Sequence, residues 1–279
     1  MKGYAIKLLL CFVIISGLYI IINPNTSLAK KVKKSLKTGE FITLEARYNP
    51  QDIIQANKNQ LLKSPDYTLQ EPDTLFHSYL LMKVKYATDP QNTKESFMLW
   101  SLHDGELVLD THTWEKTKGF EECINVKATA SNFLLIKLLN QRSEGLSKEQ
   151  LKKLLVLDNK QLEDILHDTT QKKLILYQNG LYRLHFQNSK FNVPPQTSFF
   201  NKLVQKSYKG TTHLSSQYSS SEVSNIAKAA FGSSLHIKKS YEICIPIYRI
   251  SILNPDGSIY NTFWNALNGK EIKTNLLAL

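Results

Sequence analysis

The chain has 279 residues, of which 42% are hydrophobic and 10% are aromatic, and its formal net charge is +11. An aromatic fraction of this size with an ordinary apolar fraction excludes a wholly disordered chain and favours a globular body. The charge divides unevenly, since residues 41–125 are acidic whereas residues 1–40, 126–190 and 191–279 are basic. This uneven division disfavours a uniform nucleic-acid-binding surface.

The first element in chain order is an apolar run over residues 8–22. If the run is extended back to Tyr4, it approaches the roughly 20 residues of a membrane-spanning helix. The sequence therefore predicts a signal-anchor or signal peptide over residues 1–23, with an uncut single-pass anchor preferred. Pro24 and the small residues up to Ala29 also fit a cleaved secretory signal, and a buried core helix is the third alternative.

A basic juxtamembrane linker over residues 24–40 follows, and it predicts contact with anionic lipid headgroups. Positive flanking charge favours a cytoplasmic body, whereas the signal-like ending favours an exported one. We predict a bacterial single-pass membrane protein whose body lies on the extracytoplasmic side. The residues expected at the membrane surface are Lys30, Lys31, Lys33, Lys34 and Lys37.

Residues 41–125 predict a helix followed by a β-meander. Asn49 is a typical helix cap before the segment 50–62, and the apolar segment 78–86 predicts a long strand. Five potential metal ligands then surround a hairpin at Gly105, but a polar turn explains them more simply. We therefore expect no metal, no cofactor and no catalytic group there. These five residues are His103, Asp104, Glu106, Asp110 and His112.

The clearest fold signal lies in residues 126–190. Apolar residues from Ser131 onward repeat at helical spacing, and capping-box patterns at Ser147 and Asp158 predict two further helices. Asn179-Gly180 then predicts a β-hairpin. Three helices followed by a hairpin resemble the winged-helix family.

The winged-helix resemblance implies a third helix that enters the DNA major groove, but the charges of this chain oppose that role. The third predicted helix is acidic, and positive charge lies elsewhere in the segment. We therefore disfavour nucleic acid as a partner and expect a protein-contact or structural role. The basic face that remains for DNA consists of Lys172, Lys173 and Arg183.

A polar segment over residues 191–220 predicts a linker, and residues 221–279 predict a second helix followed by a β-meander. The stretch IYRISILNPDGSIYNTFWNALNGKEI resembles the PepSY-type module of envelope proteins, which implies a noncatalytic, extracytoplasmic role. In each meander a tryptophan stands five residues before a turn glycine, so an internal duplication is an alternative.

Two cysteines, Cys123 and Cys244, lie within the globular body. They form one disulfide if the body is exported, or they are two small buried residues.

The anchor, the segment TGEFITLEARYNPQDI (38–53) and the order of blocks resemble small, uncharacterised membrane-anchored proteins of chlamydiae. That resemblance implies no known activity. The predicted fold class is α+β, with an N-terminal transmembrane helix and two helix-plus-β-meander modules flanking a winged-helix-like segment.

No phosphate-binding loop, nucleophile elbow or zinc motif occurs in the sequence. The function expected first is a noncatalytic, membrane-tethered interaction or scaffold protein that binds other proteins of a bacterial envelope. A membrane-tethered winged-helix transcription regulator is the alternative. An envelope enzyme with a metal at His103 and His112 is the second alternative.

Overall fold

The structure is a computed structural model that describes residues 39–89 and 91–272. Its helices in this part of the chain are α1 (Pro50–Ala56), α2 (Lys58–Leu61), α3 (Phe120–Asn125), α4 (Ala130–Asn140), α5 (Lys148–Leu155), α6 (Asn159–Gln171) and α7 (Ser220–Phe231). Its strands are β1 (Glu40–Leu44), β2 (Thr68–Leu69), β3 (Asp73–Ala87), β4 (Thr93–Ser101), β5 (Leu107–Asp110), β6 (Glu115–Lys116), β7 (Ile175–Gln178), β8 (Leu181–Leu184), β9 (Leu203–Ser207), β10 (Thr212–His213), β11 (His236–Leu253) and β12 (Ile259–Asn265).

One curled ten-stranded sheet dominates the described residues. Its strand order is β6-β5-β4-β3-β11-β1-β9, with β10 paired to β3 and with β2 and β12 paired to β11. At its centre β3 and β11 run antiparallel, from Lys85 opposite His236 to Phe76 opposite Pro246. Strands β7 and β8 form a separate hairpin.

The pairing of β3 with β11 corrects the predicted fold class. We expected the two long strands to belong to separate meander modules on either side of a winged-helix-like segment. Instead they hydrogen-bond to each other, and the fold is a mixed α/β arrangement around one large sheet. Both strands are largely buried over their central parts, and such segments need cover on both faces, which one large sheet with layers on either side provides.

The predicted single-pass membrane architecture is also corrected. Across residues 39–89 and 91–272, no helix combines the length and apolar character needed to cross a bilayer. The longest, α6, has 13 residues and a polar face, whereas a span needs about 20 apolar residues. The predicted anchor at residues 1–23 and the lysines from Lys30 to Lys37 lie outside the described residues.

The two faces of the sheet carry different layers because side chains alternate along each strand. On β3, Leu80, Met82 and Val84 point to the face that packs against α3, α4 and α7, which form the largest hydrophobic cluster. Tyr79 and Leu81 point to the opposite face, where a smaller cluster includes residues of β1 and β5. We call this second side the cavity face.

Helix and turn signals in residues 126–190 are confirmed locally. The capping boxes at Ser147 and Asp158 are both formed. Asn179 and Gly180 have φ values of 54° and 79°, as a tight hairpin turn requires. The three helices and hairpin also share a leucine-rich cluster of their own. Similarity to the winged-helix family stays a prediction.

Candidate functional site

A cavity of about 360 Å³ lies on the cavity face of the sheet. Strands β3 and β11 supply its floor, and its walls come from the turn after β4, the turn between β5 and β6, β6 itself and the segment after β12. This volume is at the lower end of the roughly 300–1,000 Å³ of small-molecule sites. The polar side chains nearest the floor are His77, Tyr79, His103, Asp104 and Lys116.

An ion pair lies at the centre of the polar wall. Lys116 Nζ is 2.6 Å from Asp104 Oδ2 and donates to Tyr79 Oη at 3.1 Å. Burial alone would lower the pKa of Lys116, but the adjacent Tyr79 and Asp104 oxygens raise it above its usual value. Burial also opposes ionisation of Asp104, yet Lys116 holds the pKa of that carboxyl below its usual value. Both groups are therefore charged at neutral pH.

The turn after β4 fixes the position of His103 and Asp104. Ser101 Oγ accepts hydrogen bonds from the backbone N–H groups of His103 and Asp104, at 3.3 and 3.2 Å. Gly105 follows with φ of 65°, and a Cβ at this position would lie 2.8 Å from Ile124 Cδ1. Glycine is therefore required there, both for the backbone conformation and for the close approach of α3.

Two imidazoles lie side by side in the cavity. The rings of His77 and His103 have centroids 4.7 Å apart and planes tilted by 31°. His77 is only 4% exposed, and burial, His103 and Lys116 together lower its pKa to about 3. Burial also lowers the pKa of His103. His77 Nε2 and His103 Nδ1 are buried, and neither has a hydrogen-bond partner among the described residues.

The turn between β5 and β6 places an indole in the wall. Trp114 has φ of 61°, a conformation that a bulky residue rarely adopts, and its ring meets that of Tyr79 edge-on at 5.6 Å. Asp110 Oδ1 holds the turn by accepting the backbone N–H groups of His112 and Thr113, at 2.7 and 2.9 Å. Strained backbone of this kind is common at functional sites.

The segment after β12 closes the opposite wall and is tied to the indole-bearing turn. Asn268 Nδ2 donates to the carbonyl oxygen of Thr113 at 3.2 Å. The backbone of Lys270 donates to Asn268 Oδ1 at 3.0 Å and accepts from the backbone of Asn265 at 2.9 Å. These bonds place Lys270 and Glu271 beside the cavity.

Of the five hairpin residues that were weighed as metal ligands and interpreted as a polar turn, only His103 and Asp104 line the cavity. Glu106 instead accepts hydrogen bonds from the backbone at the start of α3. His112 lies outside the cavity, where its Nδ1 is 2.6 Å from Arg47 Nη1. Asp110 holds the β5–β6 turn through its side-chain oxygen. No group of three or more metal-ligating side chains occurs in the part of the chain that the structure describes.

The predicted basic face is partly occupied by contacts within the chain. Lys172 Nζ lies 2.9 Å from Asp168 Oδ2, and Arg183 Nε donates to the carbonyl oxygen of Glu144 at 2.9 Å. Lys173 follows α6 with φ of 55°. A role of these three residues in nucleic-acid binding stays the less favoured alternative.

The two cysteines of the body lie in different hydrophobic clusters, and both thiols are free. Cys123 packs under α4 and α7, whereas Cys244 packs against Phe41 and Phe76. The arrangement corresponds to the alternative of two small buried residues.

Most residues of the cavity were missed by sequence reasoning. His77, Tyr79 and Lys116 come together only because β3, β4, β5 and β6 are neighbours in the sheet. One signal was present in the sequence, because His77 is a polar residue within the apolar and largely buried middle of its strand. Trp114 carried no signal, since nothing in its sequence context indicates a positive φ.

Comparison with known proteins assigns no relative to this chain. No protein-family model, curated protein or solved structure matches it. The resemblances seen in the sequence therefore stay predictions.

Proposed function

We propose that this protein is a noncatalytic binding protein that holds a small polar ligand in the cavity. The proposal depends on one observation: the lining of the cavity combines the ion pair of Lys116 and Asp104 with the apolar side chains of Ile245 and Ile247. Small-molecule sites are typically concave and largely apolar, with a few fixed polar groups that orient the ligand. The cavity has both features, so its polar groups can hold a small polar ligand while its apolar side chains pack against it.

The chemistry of the wall favours binding over catalysis. A lysine nucleophile must lose its proton, but the ion pair with Asp104 keeps Lys116 charged. Ser101 Oγ, a buried hydroxyl at the end of β4, already accepts hydrogen bonds from two backbone N–H groups. These contacts hold the polar groups in place and leave no activated nucleophile among them.

The one thiol–imidazole contact among the described residues lies on the other face of the sheet. Cys244 Sγ is 3.7 Å from His213 Nδ1, but burial raises the pKa of this thiol to about 12. A reactive cysteine needs a depressed pKa, so this pair does not have the properties of a catalytic dyad.

The proposal keeps the noncatalytic role that the sequence predicts and changes the partner to a small molecule. Binding to other proteins, as in the scaffold hypothesis, is a separate proposal. It would use a different part of the surface, because the cavity is too small to accept a folded partner.

Blocking the mouth of the cavity tests the proposed function. Thr113 is exposed at the rim, so Thr113→Trp should occlude the cavity without disturbing its floor. Ligand-observed NMR with a mixture of small polar molecules should give saturation-transfer signals for the unmodified chain, and the Thr113→Trp variant should lose most of them. The matched control is Thr170→Trp, because Thr170 is exposed on α6 and does not line the cavity. The proposal would be contradicted if the unmodified chain gave no saturation-transfer signals, or if Thr113→Trp and Thr170→Trp gave equal signals.

A further inference from the structure

Lys270 places a positive charge on the wall of the cavity. The segment after β12 pairs antiparallel with that strand, so Glu271 lies opposite Trp264 and Lys270 lies opposite Asn265. Residues that lie opposite each other share a face of the sheet. Asn265 itself lies opposite Ile247 of the cavity floor, so Lys270 belongs to the cavity face. Its side chain is exposed and forms no ion pair with any described residue.

The neighbouring carboxylate of Glu271 is directed away from the cavity. Its partner Trp264 belongs to the hydrophobic cluster with α1 and α2, on the other face of the sheet. On that face Glu271 Oε2 accepts a hydrogen bond from Gln60 Nε2 of α2 at 3.0 Å. The next residue, Ile272, returns to the cavity face and packs against β3 and β11. Glu271 therefore does not neutralise Lys270 within the cavity.

Lys116 can donate one more hydrogen bond. Its ammonium group carries three N–H donors, of which two are used by Asp104 Oδ2 at 2.6 Å and by Tyr79 Oη at 3.1 Å. No other described residue accepts from it. The side chain of Lys116 is 21% exposed and lines the cavity, so a ligand can reach the remaining donor.

The charged side chains that face the cavity leave one positive charge in excess. Lys116 and Asp104 cancel, and Lys270 adds a charge that no described acid balances. A ligand with one negative charge complements this excess, whereas a cation would meet a like charge. A dianion such as phosphate would keep one negative charge unpaired above a floor that is partly apolar. The lining therefore favours a monoanion.

The accessible part of the lining also includes apolar surface. Trp114 and Ile272 stand in the walls, and both side chains are only half-buried. Tyr79 meets the indole of Trp114 edge-on and helps to hold it in place. A ligand that fills the cavity therefore needs an apolar group beside its charge.

These features together define a ligand class, and this inference rests on the proposed function. We propose that the ligand is a small monocarboxylate that carries an apolar ring or branched chain. Its carboxylate accepts the remaining N–H of Lys116 and pairs with Lys270. Its apolar group packs against Trp114 and Ile272.

Direct titration of the full chain tests this class. Benzoate, phenylacetate and isovalerate are titrated separately by NMR at pH 7, each beside its primary amide, with acetate and inorganic phosphate as further comparators. The amides keep the shape of the acids without the charge, and acetate keeps the charge without the apolar group. We expect at least one of the three carboxylates to bind at least tenfold more tightly than its amide, acetate and phosphate.

A variant pair locates the ion pair. Lys270→Gln removes the charge from an exposed side chain, so affinity for the tightest carboxylate should fall at least fivefold, and Lys270→Glu should abolish its binding. Affinity of Lys270→Gln for the matching amide should stay within twofold, which a general distortion of the cavity would not allow. The matched control is Lys160→Gln, because Lys160 is exposed on α6 and does not line the cavity. Its carboxylate affinity should stay within twofold of the unmodified chain.

The outcomes separate the two proposals. Amides, acetate or phosphate that bind as tightly as the carboxylates would overturn the ligand class and leave the proposed function intact. Carboxylate affinity that is equal in Lys270→Gln and Lys160→Gln would overturn the assigned ion pair. If none of the three carboxylates binds, the ligand class is wrong, and if the mixture described above also gives no signals, the proposed function is wrong as well.

Discussion

At the scale of single residues, the carboxylate of Glu106 fixes the turn between β4 and β5, which carries part of the cavity wall. Glu106 is 9% exposed, and its Oε1 accepts the backbone N–H groups of Gly119 and Phe120 at 2.7 and 3.0 Å. Its Oε2 accepts the hydroxyl of Thr117 at 2.6 Å. The positive end of the helix dipole of α3 faces this carboxylate. The β4–β5 turn, which carries His103, is thereby joined to α3.

Truncation of Glu106 should destabilise the fold. Glu106→Ala leaves two buried N–H groups and a hydroxyl unmet, so we expect it to lower the free energy of unfolding by about 3 kcal/mol. Glu106→Gln keeps an accepting oxygen and should cost about 1 kcal/mol. Urea denaturation measures both, with the exposed Glu149→Ala as a control that should stay within about 0.5 kcal/mol. A loss for Glu106→Ala equal to that of the control would rule out the anchoring role.

Two buried titratable groups give the unfolding free energy opposite pH slopes. The pKa of His77 falls from 6.5 to about 3, so between these values the unfolded chain binds a proton that the folded chain does not. The resulting stability is present above pH 6.5 and is lost as the pH falls. Burial raises the pKa of Glu106 from 4.5 to about 7, against the hydrogen bonds of Thr117 and the α3 backbone. The contribution of Glu106 to the free energy of unfolding is therefore present below pH 4.5 and is lost as the pH rises to about 7.

Replacing each group should uncover the slope of the other. In the unmodified chain, His77 should raise the free energy of unfolding by about 2 kcal/mol between pH 5 and pH 7. His77→Asn should abolish this rise. Glu106→Gln should change the slope by a similar amount in the opposite direction. Urea titrations at several pH values measure both, and exposed His167→Asn is the control. Parallel profiles for all variants would refute the buried titrations.

At the scale of helices, the sequence predicted the features that depend on hydrogen bonds between residues close together in the chain. The cap of α5 forms as expected, since Ser147 Oγ accepts from the backbone of Gln150 at 3.3 Å and Gln150 Oε1 accepts from the backbone of Ser147 at 2.8 Å. The segment 50–62 was expected to be one helix, but it divides into α1 and α2 at Asn57, whose side chain donates to the carbonyl oxygen of Ile53. Asparagine competes for backbone groups in this way, and the pattern of apolar residues does not show it.

The end of α5 stores strain that a substitution should release. Val156 follows the helix with φ of 54° and is 88% exposed, so its β-branched side chain gains no packing in return. Asparagine adopts this conformation more readily, and Val156→Asn should raise the free energy of unfolding by about 1 kcal/mol. Leu154→Asn, an exposed change inside the same helix, should instead lower it by about 0.5 kcal/mol. Urea denaturation of both variants gives the comparison, and a destabilised Val156→Asn would contradict the stored strain.

Across the whole molecule, the pairing of distant strands assembles the cavity, and this is where prediction from sequence failed. Strand β3 and strand β11 are separated by more than 140 residues, yet His77 lies opposite Ile245 in their register. Lys116 reaches the same cavity through three further strand pairings. Local periodicity shows that each strand exists and which residues share a face, but it contains no information about its partner. The histidine pair could therefore not be seen before the sheet was known.

The same pairing predicts how the chain behaves when it is divided. Residues 41–125 contain β3 without β11, so Leu80, Met82 and Val84 would lose α4 and α7 as packing partners and one edge of β3 would stay unpaired. We expect this fragment to show no cooperative urea transition by circular dichroism and to aggregate, since long unpaired apolar edges associate. Co-expression with residues 126–279 should restore a soluble complex, because that part supplies β11 and both helices.

Residues 126–190 alone serve as the comparison and should remain helical, given their own leucine-rich cluster. Cooperative unfolding of fragment 41–125 by itself would mean that the first meander is an independent domain and that its pairing with β11 is not needed for folding.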